Sequence, residues 1–473
     1  TVILQGNPPV IINDGVTITK YISHSDPYVN LGIQLVQNLA SQAQQNAGDG
    51  TTTACIIAQA LCQQLSKLEI TNLHQLRLDL ESTRNTVLNE LLATSIEVTD
   101  ESIINVATIA ANNDVKMGEL IAEVLSHVGK DGVITVEEGQ QLETTFDVSE
   151  GLEIDEGYFS HLMATEPSGI CELKNPLVLA SNKTITNFGE LLPVLELISS
   201  KGKPFLLFCK GIQGPALNNM IMNIVNGNIQ GCVVTAPNFG DAQLDELGDI
   251  VSLLGGKVFS DENDEDLTMA SLEDLGTCTK AIITASSTTL IGGEGDVADK
   301  ISSLKTRYDE VETNYDKMRI KKRLSRLQGG VAVIKVGAGS SIEMRETKER
   351  LDDALNATKA ALQEGIVAGG GLALGNASFK LGKGHVDMIV RNALFSPMRV
   401  LRENSGQYDD DEFFRVVAGS GDIGWNALKG EYSNLLEDGV IDPLKVTRSS
   451  FSVAMSIAML FLTTDVAVLL PEE

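Results

Sequence analysis

The chain is poor in the residues that build metal sites and disulfide frameworks. Its 473 residues include six cysteines, five histidines and one tryptophan, and aromatic residues make up 4% of the sequence. The cysteines contain no Cys-x-x-Cys pair and the histidines no His-x-x-x-His spacing. Neither a zinc site nor a disulfide-stapled fold is therefore indicated, and reduced thiols are the default expectation.

Positive charge is also scarce. Thirty-six Lys and Arg residues stand against 64 Asp and Glu residues, which gives a formal net charge of −28. Because binding a polyanion requires a basic footprint, this balance argues against a nucleic-acid partner. Long apolar runs are missing too. The most apolar stretch, residues 453–462, is too short to span a bilayer and predicts a core element with no membrane partner.

The common signatures of nucleotide enzymes and hydrolases are absent. None of the four Gly-Lys pairs is followed by Ser or Thr, which excludes a P-loop, and no Gly-x-Ser-x-Gly elbow occurs. Residues 336–340, Val-Gly-Ala-Gly-Ser, suggest a dinucleotide-dependent oxidoreductase as one hypothesis, but the third glycine of that fingerprint is missing.

Length and patterning predict several domains. A chain of 473 residues that is 43% hydrophobic is long enough for about three domains. Helical patterns run to about Leu92, and strands alternate with helices over residues 151–330, which indicates an α/β domain. The sequence has no initiating Met and starts directly in a strand-like segment, so we expect it to be a piece of a longer chain with any targeting segment out of view. One spacing predicts a coiled-coil or helical-hairpin seam, with apolar residues at Ile301, Leu304, Tyr308, Val311, Tyr315 and Met318.

The most informative local segment is residues 47–54, Ala-Gly-Asp-Gly-Thr-Thr-Thr-Ala. Its glycines allow a tight turn and close approach to a ligand, Asp49 offers a hard oxygen for Mg²⁺, and the threonines supply hydroxyl and N–H groups at a helix start. This combination is typical of a phosphate cradle. Taken alone, the segment fits an ordinary loop with a Thr N-cap better than a phosphate cradle.

Further segments accompany the cradle in order along the chain: residues 13–17 (Asn-Asp-Gly-Val-Thr), 132–139 (Gly-Val-Ile-Thr-Val-Glu-Glu-Gly), 329–337 (Gly-Gly-Val-Ala-Val-Ile-Lys-Val-Gly), 364–371 (Glu-Gly-Ile-Val-Ala-Gly-Gly-Gly) and 442–448 (Asp-Pro-Leu-Lys-Val-Thr-Arg). Together these segments closely resemble the group I chaperonins, the sixty-kilodalton class of bacteria, mitochondria and plastids. The resemblance covers essentially the whole chain.

The resemblance implies a multi-domain α and α/β fold with three nested domains. A mostly helical equatorial ATP-binding domain would comprise residues 1–96 and 364–473. A small hinged intermediate domain would comprise 97–150 and 331–363, and an α/β apical polypeptide-binding domain 151–330. The hinge residues would be Gly151, Gly329, Gly330 and Gly365.

The resemblance also implies an ATPase with ATP and Mg²⁺ as ligands and K⁺ as an optional further ion. Asp49 matches the Mg²⁺ ligand, and Gly50, Thr51, Thr52 and Thr53 match the phosphate cradle. Asp353 matches the carboxylate that orients the attacking water, and Asp14 a second carboxylate near the γ-phosphate. The ribose and base contacts would come from Gly370, Asn426, Ala427 and Asp442. Without the resemblance, Asp353 reads as a solvent-facing helical carboxylate like its neighbour Asp352.

The partners implied are unfolded client polypeptides, a co-chaperonin lid of the ten-kilodalton type, and further subunits in a homo- or hetero-oligomeric seven-membered ring. Apolar side chains would capture clients, although their helical spacing fits core packing as well. The matching positions are Tyr158, Leu162, Met163, Leu192, Leu195, Leu217, Ile221 and Met222.

Several positions depart from the family pattern. Glu156 stands in place of an Arg and Ser341 in place of a Glu, which removes an intersubunit salt bridge. Asn13 replaces a lysine near the phosphates, residues 241–243 replace a basic run, and residues 379–424 are shorter than usual. These changes keep open a second hypothesis, an ATPase-weak structural subunit of a hetero-oligomeric ring. The compartment is open between plastid stroma, bacterial cytoplasm and mitochondrial matrix, with plastid or cytoplasm favoured.

Overall fold

The computed structural model describes residues 2–4, 10–12, 15–68, 72–130, 132–139, 141–166, 169–260, 266–311, 313–408, 421–464 and 466–469. The helices in these ranges are α1 (Gly15–Lys20), α2 (Pro27–Ala47), α3 (Thr51–Leu65), α4 (Leu73–Ala93), α5 (Asp100–Ala110), α6 (Val115–Val128), α7 (Leu192–Lys201), α8 (Gly214–Val225), α9 (Asp241–Leu254), α10 (Ala298–Glu310), α11 (Asn314–Gly329), α12 (Ser341–Glu364), α13 (Leu372–Ser378), α14 (His385–Leu394), α15 (Ser396–Asn404) and α16 (Leu444–Leu462).

The strands in the same ranges are β1 (Val2–Leu4), β2 (Val10–Ile12), β3 (Val133–Glu138), β4 (Thr145–Ser149), β5 (Gly151–Ile154), β6 (Cys171–Lys174), β7 (Leu177–Ser181), β8 (Thr184–Ile185), β9 (Phe205–Cys209), β10 (Gly211–Ile212), β11 (Gly231–Thr235), β12 (Val258–Phe259), β13 (Gly276–Thr277), β14 (Lys280–Ile283), β15 (Thr288–Ile291), β16 (Val331–Val336), β17 (Ile366–Ala368), β18 (Ile423–Asn426), β19 (Glu431–Asn434) and β20 (Ile441–Pro443). Short 3₁₀ turns lie at His161–Met163, Phe188–Glu190, Leu267–Met269 and Leu272–Asp274.

The described chain divides into two compact units. The first contains residues 1–123, 136–144 and 336–473, and the second residues 124–135 and 145–335. The three domains expected from the sequence stay a prediction, because these two units do not separate an equatorial from an intermediate domain.

The first unit is built mainly from helices around α3 and α16. Ile57, Leu61 and Leu65 of α3 are fully buried, as their spacing predicts, and they pack in one core with Phe451 and Met455 of α16. The apolar stretch at residues 453–462 is thus a core element at its start, whereas its last turn is half exposed. No helix in the described part of the chain is long and apolar enough to cross a membrane.

The second unit is an α/β assembly. Its central sheet has the parallel strand order β11-β9-β7-β12, with β13 antiparallel on β7. All five residues of β7 and of β9 are buried, which is typical of parallel strands covered on both faces. A second sheet has the antiparallel order β5-β15-β14-β6. The α/β character predicted for residues 151–330 is therefore confirmed.

The predicted seam over residues 301–318 forms a helical hairpin, with a break at Val311 between α10 and α11. Leu304 is buried and Ile301 and Tyr308 pack on the core, but Tyr315 and Met318 are about 70% exposed (72% and 69%). The seam was predicted one turn too long, because the chain reverses where the spacing alone would continue it. Arg323 of α11 instead fixes the hairpin to α9 through two bonds to the buried Asp249 carboxylate, of 2.6 and 2.7 Å.

Candidate functional site

The glycine loop, residues 48–50, connects α2 to α3 and gives the site its shape. Gly48 ends α2 in the left-handed conformation (φ 73°), and Gly50 precedes α3 in the same region (φ 84°). The Asp49 carboxylate accepts a hydrogen bond from the Gly50 N–H at 2.5 Å. Within the described ranges no side chain caps α3, so the N–H groups of its first turn are directed at the loop with the positive end of the helix dipole behind them.

Neighbouring helices enclose the loop so closely that no side chain fits at Gly50. A Cβ atom added there would lie 2.3 Å from the Ser450 hydroxyl and 2.7 Å from a methyl of Val446, both on α16. The Ser450 hydroxyl donates to the Gly50 carbonyl at 3.0 Å. The loop is therefore held by its backbone: the Gly48 N–H donates to the Gln44 carbonyl, and the Gly50 N–H donates to the Asp49 carboxylate.

Asp442 lies beside Asp49. It sits in β20, opposite Val367 of β17, at the point where the triple-glycine segment begins. Burial and the nearby Asp49 charge raise the pKa of Asp442 to about 7. Two carboxylates that repel each other in this way form a place where a cation, or a ligand that brings one, is stabilised.

Asp353 lies on α12, the helix that contacts the loop at Gly48. Asp353 is half-buried, and its neighbour Asp352 is the more exposed residue, but burial of the Asp352 carboxyl raises its pKa to about 6. Asn356, one turn further along the same face of α12, is in direct contact with Gly48. The structure thus brings the Asp353-bearing helix face to the glycine loop.

Gly370 and Asn426 lie at a neighbouring hairpin. Gly370 has a positive φ of 61°, and a Cβ there would lie 3.3 Å from Leu435 and 3.8 Å from the Trp425 carbonyl. Asn426 is buried, and its side chain is engaged within the hairpin: its Oδ1 accepts from Leu428 and Lys429, and its Nδ2 donates to Asp438 at 2.8 Å.

Ala427, at the tip of this hairpin, is exposed. The Asn426 amide therefore shapes the turn that presents Ala427, and direct contact of either residue with a nucleotide base stays a prediction.

Thr51, Thr52 and Thr53 form the first turn of α3, and Thr51 is buried. A Cβ added at Gly15, the first residue of α1, would lie 2.5 Å from the Thr51 hydroxyl and 3.2 Å from that of Thr52. Asp14 precedes Gly15 in the sequence, but Asp14 and Asn13 lie outside the described residues, so their predicted roles stay untested.

The carboxylates at the loop, Asp49 and Asp442, fit a Mg²⁺ ion that is bound together with a nucleotide better than a metal ion held by protein ligands alone. Among the residues that the structure describes, no group of three or more His, Cys, Asp or Glu side chains is placed to hold a metal. An ion at Asp49 would need phosphate oxygens and water for its remaining ligands, which is the usual arrangement for Mg²⁺ in nucleotide enzymes.

The predicted capture residues fall into three groups in the second unit. Leu162, Leu192 and Met222 are exposed, by 49%, 44% and 57%. Tyr158, Leu217 and Ile221 are half-buried and pack on the core. Met163 and Leu195 are buried, and the Met163 sulfur accepts the Val233 N–H at 3.4 Å. In this structure Met163 and Leu195 serve core packing, the alternative that their spacing allowed.

The predicted hinge glycines lie where two chain segments touch. A Cβ at Gly365 would lie 2.4 Å from the Ser95 hydroxyl and 2.6 Å from the Ile96 carbonyl. A Cβ added at Gly151 would clash with Val331. A Cβ at Gly329 would lie 3.1 Å from the Val128 carbonyl, and one at Gly330 would lie 3.0 Å from the Ser149 carbonyl. Their placement where chain segments cross is consistent with hinges, and that role stays a prediction.

Sequence reasoning missed three residues of the site: Asn356, Val446 and Ser450. Asn356 and Ser450 lie outside the family-like segments, Val446 lies within residues 442–448 without having been singled out, and each contributes through contact with a glycine. The one available signal was periodicity, since Val446 and Ser450 lie four residues apart on α16 and Asn356 three residues after Asp353.

One comparison with known proteins bears on this arrangement. The model of the TCP-1/cpn60 chaperonin family matches residues 1–470 of the chain. Members of this family are ATPases that fold client polypeptides in ring-shaped oligomers. A match over nearly the full sequence, together with the glycine loop, its uncapped helix and the multi-domain α and α/β fold, leads to one conclusion: the chain belongs to the TCP-1/cpn60 chaperonin family.

Proposed function

We propose that this chaperonin is a group I member that hydrolyses Mg-ATP at the glycine loop and uses the hydrolysis to enclose client polypeptides in a seven-membered ring closed by a ten-kilodalton co-chaperonin. The observation that carries the proposal is the convergence on one loop of Asp49, Asp442 and the Asp353-bearing face of α12. The six family-like segments support the group I assignment.

The residues divide the work of phosphoryl transfer. The amides of residues 50–53 at the start of α3 would bind phosphate oxygens, and the Asp49 carboxylate would hold the metal. When bound, Mg²⁺ would neutralise phosphate charge. Asp353 accepts a hydrogen bond from the attacking water and holds it in line, which is the main contribution a protein can add to this reaction.

Client capture belongs to the second unit. We assign it to the capture face, defined as Leu162, Leu192 and Met222 together with Val225 at the end of α8. All four are exposed apolar side chains, and α8 packs on the turns that carry Leu162 and Phe188. Exposed apolar area that includes Met suits binding of many unrelated sequences.

The ATPase arm of the proposal is tested on the purified full-length protein. We expect steady ATP hydrolysis with Mg²⁺ and none with EDTA, and a higher yield of a refolded client enzyme with ATP and co-chaperonin than without nucleotide. Wild-type protein without Mg²⁺-dependent hydrolysis would exclude the proposal.

The capture arm is tested with Met222→Gln, which removes apolar area without adding charge. We expect weaker binding of a denatured client, by about threefold, since burying one Met is worth roughly 1.5–3 kcal/mol at most and a promiscuous face realises part of that. Met318→Gln is the matched control, because Met318 is at least as exposed as Met222 (69% against 57%) but lies on α11. Equal effects of both variants would contradict the assignment.

A second candidate function is an ATPase-weak structural subunit of a hetero-oligomeric ring. It is supported by Glu156 and Ser341, which stand where the family places an Arg and a Glu. Asp155, next to Glu156, forms salt bridges with Lys322 and Arg326 of the same chain. Homomeric rings formed by the isolated chain would count against this function, and a monomer that joins rings only with a partner subunit would support it.

A further inference from the structure

One face of α12 runs along the glycine loop in successive turns. Ala360 packs with Ala47 and Val446 in a small apolar cluster. Asn356, four residues earlier, lies on Gly48, and Asp353 follows three residues before that. Because residues three and four apart share a helix face, Asp353 lies on the face of α12 whose Asn356 and Ala360 contact the loop and its flanking residue Ala47.

The contact of Asn356 with Gly48 is a close packing contact. A Cβ added at Gly48 would lie 2.6 Å from Cβ, 2.8 Å from Cγ and 3.2 Å from Nδ2 of Asn356. Two of these three nearest atoms are carbons, so the side chain acts mainly through its shape. Gly48 provides the space that the Asn356 side chain fills.

The C-terminal end of α12 is fixed independently. The Arg448 guanidinium of α16 binds both carboxylate oxygens of Glu364, and the Lys445 ammonium donates to the Gln363 side chain at 2.8 Å. Between this end and Asp353, the Asn356 side chain contacts the glycine loop three residues from Asp353 on the same helix face.

We propose that Asn356 is a positioning residue for ATP hydrolysis: its side chain, packed on Gly48, sets the distance between the Asp353 carboxylate and the glycine loop. This inference rests on the proposed function and deepens it. A longer or shorter spacer at position 356 moves the carboxylate that holds the attacking water, while the groups that bind nucleotide stay in place. A displacement of about 1 Å can lower a rate by on the order of 100-fold.

The test compares Asn356→Ala with Asn356→Leu in the assembled full-length protein. Ala removes the spacer, whereas Leu keeps a branched side chain of similar size without the amide. Both residues have higher helix propensity than Asn, so neither should destabilise α12. We expect Asn356→Ala to lower kcat at least tenfold with ATP affinity changed less than twofold, and Asn356→Leu to retain most of the wild-type kcat.

Arg345→Ala is the control on the same helix, since it truncates an exposed side chain two turns before Asp353 that plays no part in the contacts described above. We expect its kcat to stay within twofold of wild type. Unchanged kcat in Asn356→Ala, or equal losses in the Ala and Leu variants, would overturn the proposal while leaving the ATPase itself intact.

A second readout does not depend on turnover. Without nucleotide, amide hydrogen exchange over residues 48–53 should be faster in Asn356→Ala than in wild type and near wild type in Asn356→Leu, because the loop loses its covering side chain only in the first variant. No acceleration in Asn356→Ala would overturn the spacer role. If the variants show this exchange pattern but the wild-type protein hydrolyses no ATP, the proposed function is excluded and the spacer role is not.

Discussion

Asp353 and Asp352 are adjacent carboxylates that the structure places in different surroundings. Asp353 is half-buried on the face of α12 that meets the glycine loop, and Asp352 is exposed. We expect Asp353→Ala to lower kcat for ATP hydrolysis by about 10²-fold with little change in nucleotide affinity, because positioned proton and water contacts typically contribute that much. Asp352→Ala, the matched control, should change kcat less than twofold. A loss shared by both variants would point to charge or helix stability instead of water positioning.

Asp442 makes the free energy of unfolding of the nucleotide-free protein depend on pH. Its pKa is about 7 in the folded chain, against an ordinary value of 3.8. Between these values the folded state binds more protons than the unfolded state, so the free energy of unfolding falls as pH rises from about 4 to 7 and stays low above that.

Asp442→Asn removes this titration. We expect the variant to be more stable than wild type at pH 8 without nucleotide, by on the order of 2 kcal/mol, and no more stable at pH 4. Thermal unfolding midpoints at the two pH values check the sign. A variant that is less stable than wild type at pH 8 would show that the Asp442 charge is compensated in the folded chain.

The junction between α12 and β17 depends on one glycine. Gly365 has φ 86° and ψ −170°, a region open almost exclusively to glycine, and Ser95 and Ile96 pack against its Cα. We expect Gly365→Ala to lower the urea midpoint of the first unit clearly, through backbone strain and a steric clash together. Gly406→Ala is the matched control in the same unit, since Gly406 also has a positive φ of 82° but nothing lies within 4 Å of an added Cβ.

The difference between the two glycine variants isolates the close approach of the chains at residues 95–96 and 365. Strain alone costs about 1–2 kcal/mol, so the Gly365 variant should exceed the control by a further 1–3 kcal/mol. Equal midpoints would mean that the 95–96 segment yields easily at this junction.

The whole molecule carries a net charge of −28, which opposes bringing several copies together. Screening is weak at low salt and strong above about 0.1 M, where the Debye length is about 10 Å. We therefore expect the ring fraction of the isolated chain, measured by size-exclusion chromatography with light scattering, to rise when salt increases from about 20 to 300 mM. Sucrose at matched osmolality should have no such effect. A ring fraction that falls with salt would show that intersubunit ion pairs outweigh the general repulsion.

Local patterns in the sequence were sufficient for much of this molecule. The helical periodicity of Ile57, Leu61 and Leu65 predicts the buried face of α3, and the glycines around Asp49 predict a tight loop at its start. These features depend on neighbours in the chain, so the order of the residues determines them. The family-like segments extend this to the multi-domain α and α/β fold, which the family match confirms.

Features that depend on distant segments were decided by tertiary structure alone. The difference between Asp353 and Asp352, the burial of Met163 and Leu195, and the end of the 301–318 seam each follow from what another element places nearby. The contacts of Asn356 with Gly48 and of Ser450 with Gly50 join residues some 300 and 400 positions apart. A sequence pattern relates residues only a few positions apart and therefore cannot predict such contacts. The sequence by itself determined the glycine loop, and only the folded chain determined which side chains pack on that loop.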